Sequence, residues 1–536
     1  MATFTKCSVR FDWKVDDDEV SEQLWEIFVS RGCRVERTTP TPPVGSKPRL
    51  LRRLTSSVLY DYFDEDGKSP LIKAAELNYL KTAFSLLLFG SSPDSQDQTT
   101  GDTPLHIATC TGNVVLVKGL LACNADPLIT NKLGKTPIDV AREMSSELSL
   151  TPSFMDAVAH VFSLASSSER TASGPELAQI EKALTKAVEL QAKSHEYFAE
   201  HPDVPPKNSG SSGAFLLSVD GGGVRAFNVT NALINIEERI MQLDPKAKNL
   251  YHYFDYVAGT SSGGIAACAL PYLKVDGYSG RAIVHRGAVN VFGGPFPERG
   301  ERMDRFLQDI FTKERVMADL DIDCRVIVTS ALGNVSPYKL HLLTSYGEPR
   351  DGLAGPTERK VWESCRVSTA APTYFPLLDD LKLLDGGLIC NNPTVDSMAE
   401  IIQQVKKEGM CVDFGCVVSI GTGATKPQEI GDVEIFLPNP SSIFKNVTKN
   451  LQALGNLTQH FLNEVMQSDG QEIIRAQSFC DAFGCPYFRL TPPLAEDVPL
   501  DCSDPAKLIE MLYNTQMYYL DNPQMIDDVA KTLLSK

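Results

Sequence analysis

Ser261 lies at the centre of Gly259-Thr260-Ser261-Ser262-Gly263, a G-x-S-x-G spacing. The apolar run YFDYVAG precedes it, and the small-residue run GIAACAL follows it. A serine hydroxyl becomes a useful nucleophile when a sharp strand-to-helix turn holds it clear of its own backbone. Glycines at both ends of the pentapeptide leave room for that turn. The following helix N-terminus favours the negative charge that develops when the hydroxyl is deprotonated. The plainer reading is a glycine-serine turn joining a strand to a helix. Forty residues earlier, Gly221, Gly222 and Gly223 stand in a row between the apolar run AFLLSV and Arg225. Three adjacent glycines are costly to order. Their unhindered N–H groups can converge on one small volume, as an oxyanion hole requires. A flexible turn and a phosphate loop are the competing readings. The spacings G-x-x-x-x-G-K-[ST] and G-x-G-x-x-G are both absent there.

These residues need elements to hold them. Strand-like runs occur at 214–219, 253–259, 324–331, 382–387 and 416–421, separated by helix-compatible stretches. Continuous apolar strands alternating with helices predict an α/β layer architecture with a mainly parallel sheet covered on both faces. The Pro/Gly/Ser-rich stretch HPDVPPKNSGSSG marks the entry to this domain, which is expected to run from 214 to 536. Before it, at 163–213, come a loop, a helix and this linker. The helix opens at Pro175 and presents Leu177, Ile180, Leu184 and Val188 on one face. Further upstream, Gly67, Gly101 and Gly134 recur at 34 and 33 residues. The middle copy, Thr103-Pro104-Leu105-His106-Ile107-Ala108, resembles the ankyrin signature. Thr103 suits a helix cap and Pro104 its first turn. His106 is expected to bond turn backbone rather than do chemistry. The stack is predicted over 57–162, and so short a stack needs caps or a covering neighbour. Residues 1–56 carry no readable role.

Bulk properties narrow the function classes. The chain has 536 residues, which suggests two to four domains, or one large domain with an appendage. Its net charge of −17 argues against a nucleic-acid partner, because phosphate binding needs clustered Lys and Arg. Thirteen scattered cysteines do not form the dense, even framework of a small secreted domain. The pairs Cys411/Cys416 and Cys480/Cys485 have C-x4-C spacing, and buried small hydrophobes are expected there rather than zinc. No calcium loop of the D-x-[DN]-x-[DN]-G type is present, so neither a metal nor a cofactor is expected. The N-terminus lacks a signal-peptide core, and no apolar stretch approaches membrane-spanning length. A cytoplasmic, peripherally membrane-associated protein is expected.

Taken together, SVDGGGVR and GTSSGG resemble the patatin-like phospholipases. STAAPTYFP (368–376), LLDGGLICNNP (383–393) and VVSIGTG (417–423) extend the likeness in the same order, over about residues 214–425. With ankyrin repeats ahead of such a domain, the arrangement is similar to the calcium-independent phospholipases A2 of animals. That group's nucleotide-binding glycine motif and calmodulin-binding segment have no match here, and neither property is implied. The resemblance implies a three-layer patatin-like domain with a serine elbow. It implies a catalytic dyad of Ser261 and Asp385, 124 positions apart. Gly221, Gly222 and Gly223 would form the oxyanion hole. Asp220, Arg225, Gly259, Gly263, Gly386 and Gly387 would support it. Arg225 would either fix the loop or face a phosphate headgroup, and Asn391, Asn392 and Pro393 would shape the Asp385 loop. An aspartate base needs partial desolvation to act well. The implied substrate is a phospholipid at a membrane surface, with 290–306 as a docking stretch. A protein partner or self-association through the repeats is the further expectation. Two alternatives stand beside this reading. One is a Ser-His-Asp esterase using His460, the one histidine after Asp385. The other is a catalytically silent ankyrin adaptor.

Overall fold

The computed structural model describes residues 63–64, 66–148, 174–203, 213–292, 295–320, 323–348, 353–378, 382–425 and 468–536. They form two compact units, and neither is one continuous stretch of chain. The first takes in the described residues up to Pro202 with Arg281–His285 and Ser503–Gln524. The second takes in Asp203–Gly280, Arg286–Cys502 and Met525–Lys536. The expected N-terminal segment 1–56 lies outside the described residues, as does the expected loop 163–174 except for Gly174, which opens a helix instead.

The first unit holds paired short helices: α1 (Pro70–Glu76), α2 (Leu80–Leu88), α3 (Pro104–Cys110), α4 (Val114–Ala122) and α5 (Pro137–Leu148). Each pair starts with a capped proline turn. Ser69 Oγ accepts from the Ile72 amide, and Thr103 Oγ1 accepts from the His106 amide. His106 Nδ1 accepts from the Thr103 amide, which leaves Nε2 to donate to Lys135 O at 2.9 Å. His106 therefore ties one repeat to the next turn, and burial lowers its pKa and keeps it neutral. The long helix α6 (Gly174–Glu200) buries Leu177, Ile180 and Leu184, as its spacing predicts. The stack finds its cover within this unit. α6 packs on α4 and α5, and the helix Pro505–Asp521 packs on α4 and α6. Lys118 pairs with Glu510 at 2.6 Å, and Gln516 donates to Asn124.

Among the described residues, the second unit is built on a seven-stranded sheet. Its strands are β1 (Ala214–Val219), β2 (Tyr256–Gly259), β3 (Arg325–Leu332), β4 (Lys339–Thr344), β5 (Leu383–Asp385), β6 (Phe414–Ile420) and β7 (Tyr487–Leu490). The order is β4-β3-β2-β1-β6-β7, with β5 also on β3. Pairing is parallel from β3 through β2, β1 and β6 to β7, and antiparallel where β4 and β5 meet β3. β1, β2 and β6 are buried on both faces almost throughout, as covered parallel strands require. Met398 and Ile401 of the helix Thr394–Lys407 and Cys480 of the helix Gln471–Phe483 cover one face. The other face carries α8 (Ser262–Leu273), whose Gly264 lies against Val328. α7 (Ala226–Leu243) follows the glycine loop.

β4 and β7 add to the strands expected from sequence. Tyr253, expected to begin β2, ends a 3-10 turn at Leu250–Tyr253 instead. Cys416, Cys480 and Cys485 are buried, whereas Cys411 is exposed, which corrects the expectation for that residue. No helix among the described residues is long and apolar enough to cross a membrane. No cluster of three or more metal-ligating side chains occurs among them.

Candidate active site

β2 ends at Gly259, and α8 begins at Ser262. Ser261 lies between them at φ 54° and ψ −122°, a conformation that a non-glycine residue holds only when its surroundings enforce it. The turn is tight enough that a Cβ at Gly259 would lie 2.1 Å from Gly263 O. A Cβ at Gly263 would lie 2.4 Å from Val219 O. The two glycines of G-x-S-x-G are thus required by close backbone approach.

The register of β3 explains how the chain brings distant residues to this turn. β2 pairs with β3 from Arg325 to Val328 and stops at Gly259. β4 occupies the opposite edge of β3 from Ile327 to Leu332. β5 therefore takes the edge that β2 vacates, with Asp385 opposite Ser330. That puts Asp385 just beyond the end of β2. Ser261 Oγ donates to Asp385 Oδ2 at 2.9 Å. Gly387 N–H donates to Asp385 Oδ1 at 2.7 Å. Asp385 is fully buried, and burial pushes its carboxyl up to about 7, opposed by the Gly387 amide and the Ser261 hydroxyl.

One segment grips both sides. Ser368 Oγ, at the end of the helix Val361–Ser368, accepts the Ser261 amide at 2.8 Å. Two residues on, Ala370 O accepts the Asp385 amide at 3.2 Å. Thr260 Oγ1 donates to Cys390 O and receives a hydrogen bond from Thr329, both at 2.7 Å. The elbow, β3 and the loop after Asp385 are linked through that hydroxyl pair.

The glycine loop leaves β1 beside this turn. A Cβ at Gly221 would lie 3.1 Å from Ser261 Cβ. The three amides differ in state. Gly221 N–H points to Asn391 O at 3.4 Å, and Gly222 N–H donates to Ser262 Oγ at 3.1 Å. Gly223 N–H has no acceptor among the described residues. Asp220, fully buried at the head of the loop, receives both terminal nitrogens of Arg489, at 3.1 and 2.5 Å. Thr422 Oγ1 donates to Gly221 O at 2.9 Å. Arg225 donates through Nε to Val498 O and through Nη2 to Asp497, at 2.5 and 2.6 Å. It thus binds the loop to the 497–498 stretch. Gly386 and Gly387 begin the 3-10 turn after β5. Asn391 reaches back to the Gly221 carbonyl through Nδ2 at 3.4 Å. His460 lies outside the described residues.

Comparison with known proteins fits this architecture. A family model described as ankyrin repeats, in three copies, matches residues 71–148. The rat and mouse 85/88 kDa calcium-independent phospholipases A2 are each 33% identical over 340 residues, 60% of this chain and 40% of theirs. Patatin-like protein 3 of Arabidopsis thaliana is 26% identical over 258 residues, 40% of this chain and 60% of its own. The chain carries ankyrin repeats, and its α/β domain is similar to that of patatin-like proteins and calcium-independent phospholipases A2. An intracellular phospholipase A2 of Caenorhabditis elegans is 28% identical over 330 residues, 59% of this chain and 29% of its own. The chain thus spans well under half the length of these animal relatives. In the α/β domain, sequence reading passed over Ser262, Thr329, Ser368, Thr422 and Arg489. Arg489 left one signal, a lone charge inside the apolar strand YFRL.

Proposed function

We propose that the chain is a calcium-independent serine lipid acyl hydrolase that cleaves fatty acyl esters of glycerophospholipids. The observation that carries this is the Ser261–Asp385 hydrogen bond beside the glycine loop. The similarity to proteins named phospholipase A2 supports the substrate class.

In this reading Ser261 Oγ attacks the ester carbonyl and Asp385 takes its proton. The carbonyl electron pair moves onto oxygen, where amide hydrogens of the glycine loop meet it. Collapse breaks the bond to the glycerol oxygen, and Asp385 returns the proton to that leaving group. Water then attacks the acyl-serine and gives its proton to Asp385. The second collapse releases the fatty acid, and Ser261 regains a proton. The Gly387 amide orients the base, and Asp220, Arg225 and Arg489 keep the loop in register. Gly259, Gly263 and Gly386 let the backbones approach. No step calls for a metal. The lipid would enter from a membrane surface. Phe296, 43% exposed at the start of the helix Phe296–Phe311, supports 290–306 as the docking edge, although 293–294 lie outside the described residues. The ankyrin repeats offer a surface for a protein partner or a second copy.

The test is hydrolysis of a fluorescent phosphatidylcholine by the full chain in excess chelator, with fluorophosphonate labelling in parallel. Ser261→Ala and Asp385→Asn are expected to lose at least about 10³-fold in rate. His460→Ala is expected to stay near wild type. If His460→Ala is as inactive as Ser261→Ala, a triad replaces the dyad. Folded wild-type protein that takes no label points to a silent adaptor, and loss of activity in chelator removes calcium independence.

A further inference from the structure

The amides of the glycine loop do not all face the reaction freely. Gly221 N–H is directed at Asn391 O, and Gly222 N–H donates to Ser262 Oγ. The Ser261 amide is committed to Ser368 Oγ. One hydroxyl is placed to restore what Gly222 withholds. Ser262 opens α8, directly after Ser261. Ser261 is only 8% exposed, while Ser262 is half-buried and so reaches more open space. Ser262 Oγ accepts one hydrogen bond, and its own O–H has no acceptor among the described residues. A hydroxyl that accepts from an amide becomes a better donor, because hydrogen bonds in a chain polarise one another.

We propose that the Ser262 hydroxyl is a catalytic donor to the oxyanion, relaying the Gly222 amide into the site beside the Gly223 N–H. The proposal rests on the Ser261 hydrolase reading. As the tetrahedral intermediate forms, the carbonyl oxygen gains the electron pair and accepts the Ser262 O–H. The hydroxyl keeps its proton throughout, so no further co-reactant is needed.

The test compares wild type with Ser262→Ala, Ser262→Thr and Ser262→Val in the full chain. Thr and Val share a shape and differ in the hydroxyl. Each is assayed on a fluorogenic fatty acyl ester. Each is also titrated with an alkyl trifluoromethyl ketone, which adds a serine oxygen to form a stable tetrahedral oxyanion. Ser262→Ala and Ser262→Val are expected to lower kcat on the order of 10²-fold, the usual cost of one such donor. KM should stay within about threefold, and Ser262→Thr within about fivefold of wild type in kcat. The inhibition constant of the ketone should rise by the factor by which kcat/KM falls. If the hydroxyl merely occupies the Gly222 amide, its removal leaves kcat unchanged or raises it, and the proposal fails. It also fails if Thr and Val behave alike, or if kcat falls while ketone affinity does not. Wild type that neither hydrolyses the ester nor takes fluorophosphonate at Ser261 overturns the hydrolase reading and this one with it. Active, labelled wild type beside an unimpaired Ser262→Ala overturns this one alone.

Discussion

Asp385 carries two opposed consequences of one burial. Its ordinary value is 3.8, and the folded protein pushes it up to about 7. As a general base it must be ionised, so kcat/KM is expected to rise with pH and reach half its plateau near pH 7. A limb there is commonly assigned to histidine, but carboxyl ionisation has little enthalpy, so this limb should hardly move with temperature. The stability effect has the opposite sign. Between pH 3.8 and 7 the folded chain holds a proton that the unfolded chain has released. Stability therefore falls as pH rises through that window, and the cost is fully present above pH 7. Asp385→Asn should abolish turnover yet stabilise the protein at pH 8, by on the order of 2–4 kcal/mol. The gain should shrink toward pH 4, where wild type is protonated in both states. Denaturation midpoints at the two pH values check this, and a gain that does not vary with pH would contradict it.

At the scale of elements, the site depends on β5 entering the gap at the end of β2. Gly386 sets that entry, since a Cβ there would lie 2.1 Å from Thr329 Oγ1 and 2.7 Å from Thr329 O. Gly386→Ala should push the Asp385 strand off β3 and lower kcat on the order of 10²-fold, with Ser261 itself intact. Adding Thr329→Ala should not restore activity, because the backbone oxygen remains. Steady-state kinetics of the single and double variants decide between this and a loose turn. The same geometry explains what sequence could and could not reveal. β1 was legible residue for residue, because AFLLSV is apolar at every position but Ser218 and is buried on both faces. The elbow was legible because its glycines, strand and helix are neighbours in sequence. β4 was not, since KLHLLT is shorter of apolar residues and its first residues are open to solvent. The clamps were invisible for another reason. Ser368 meets Ser261 across 107 residues and Arg489 meets Asp220 across 269, and no local period encodes such pairings. Asp385 came within reach only because a resemblance marked it.

At the scale of the whole molecule, the repeat unit is completed by Ser503–Gln524, a stretch that lies in sequence between two segments of the α/β unit. The helix Pro505–Asp521 buries Leu508, Ile509, Met511 and Leu512. In the structure the helix Pro505–Asp521 belongs with the repeats. Ile509 is fully buried over Gly119 of α4, where an added Cβ would meet Ile509 Cδ1 at 3.4 Å, an ordinary van der Waals distance. A stack of so few repeats has little stability of its own, because each repeat contacts only its neighbours. Truncating Ile509 removes packing where α4 has no side chain to fill the gap. Ile509→Ala should therefore cost about 2–4 kcal/mol. If the loss is felt locally, amide exchange in α3, α4 and α5 should accelerate by roughly 30- to 10³-fold, while β1 and β6 exchange as in wild type. Labelling of Ser261 by fluorophosphonate should keep its rate. Equal acceleration in α4 and β1 would mean that the two units unfold as one. Unchanged exchange in α4 would mean that the helix contributes nothing to holding the repeats.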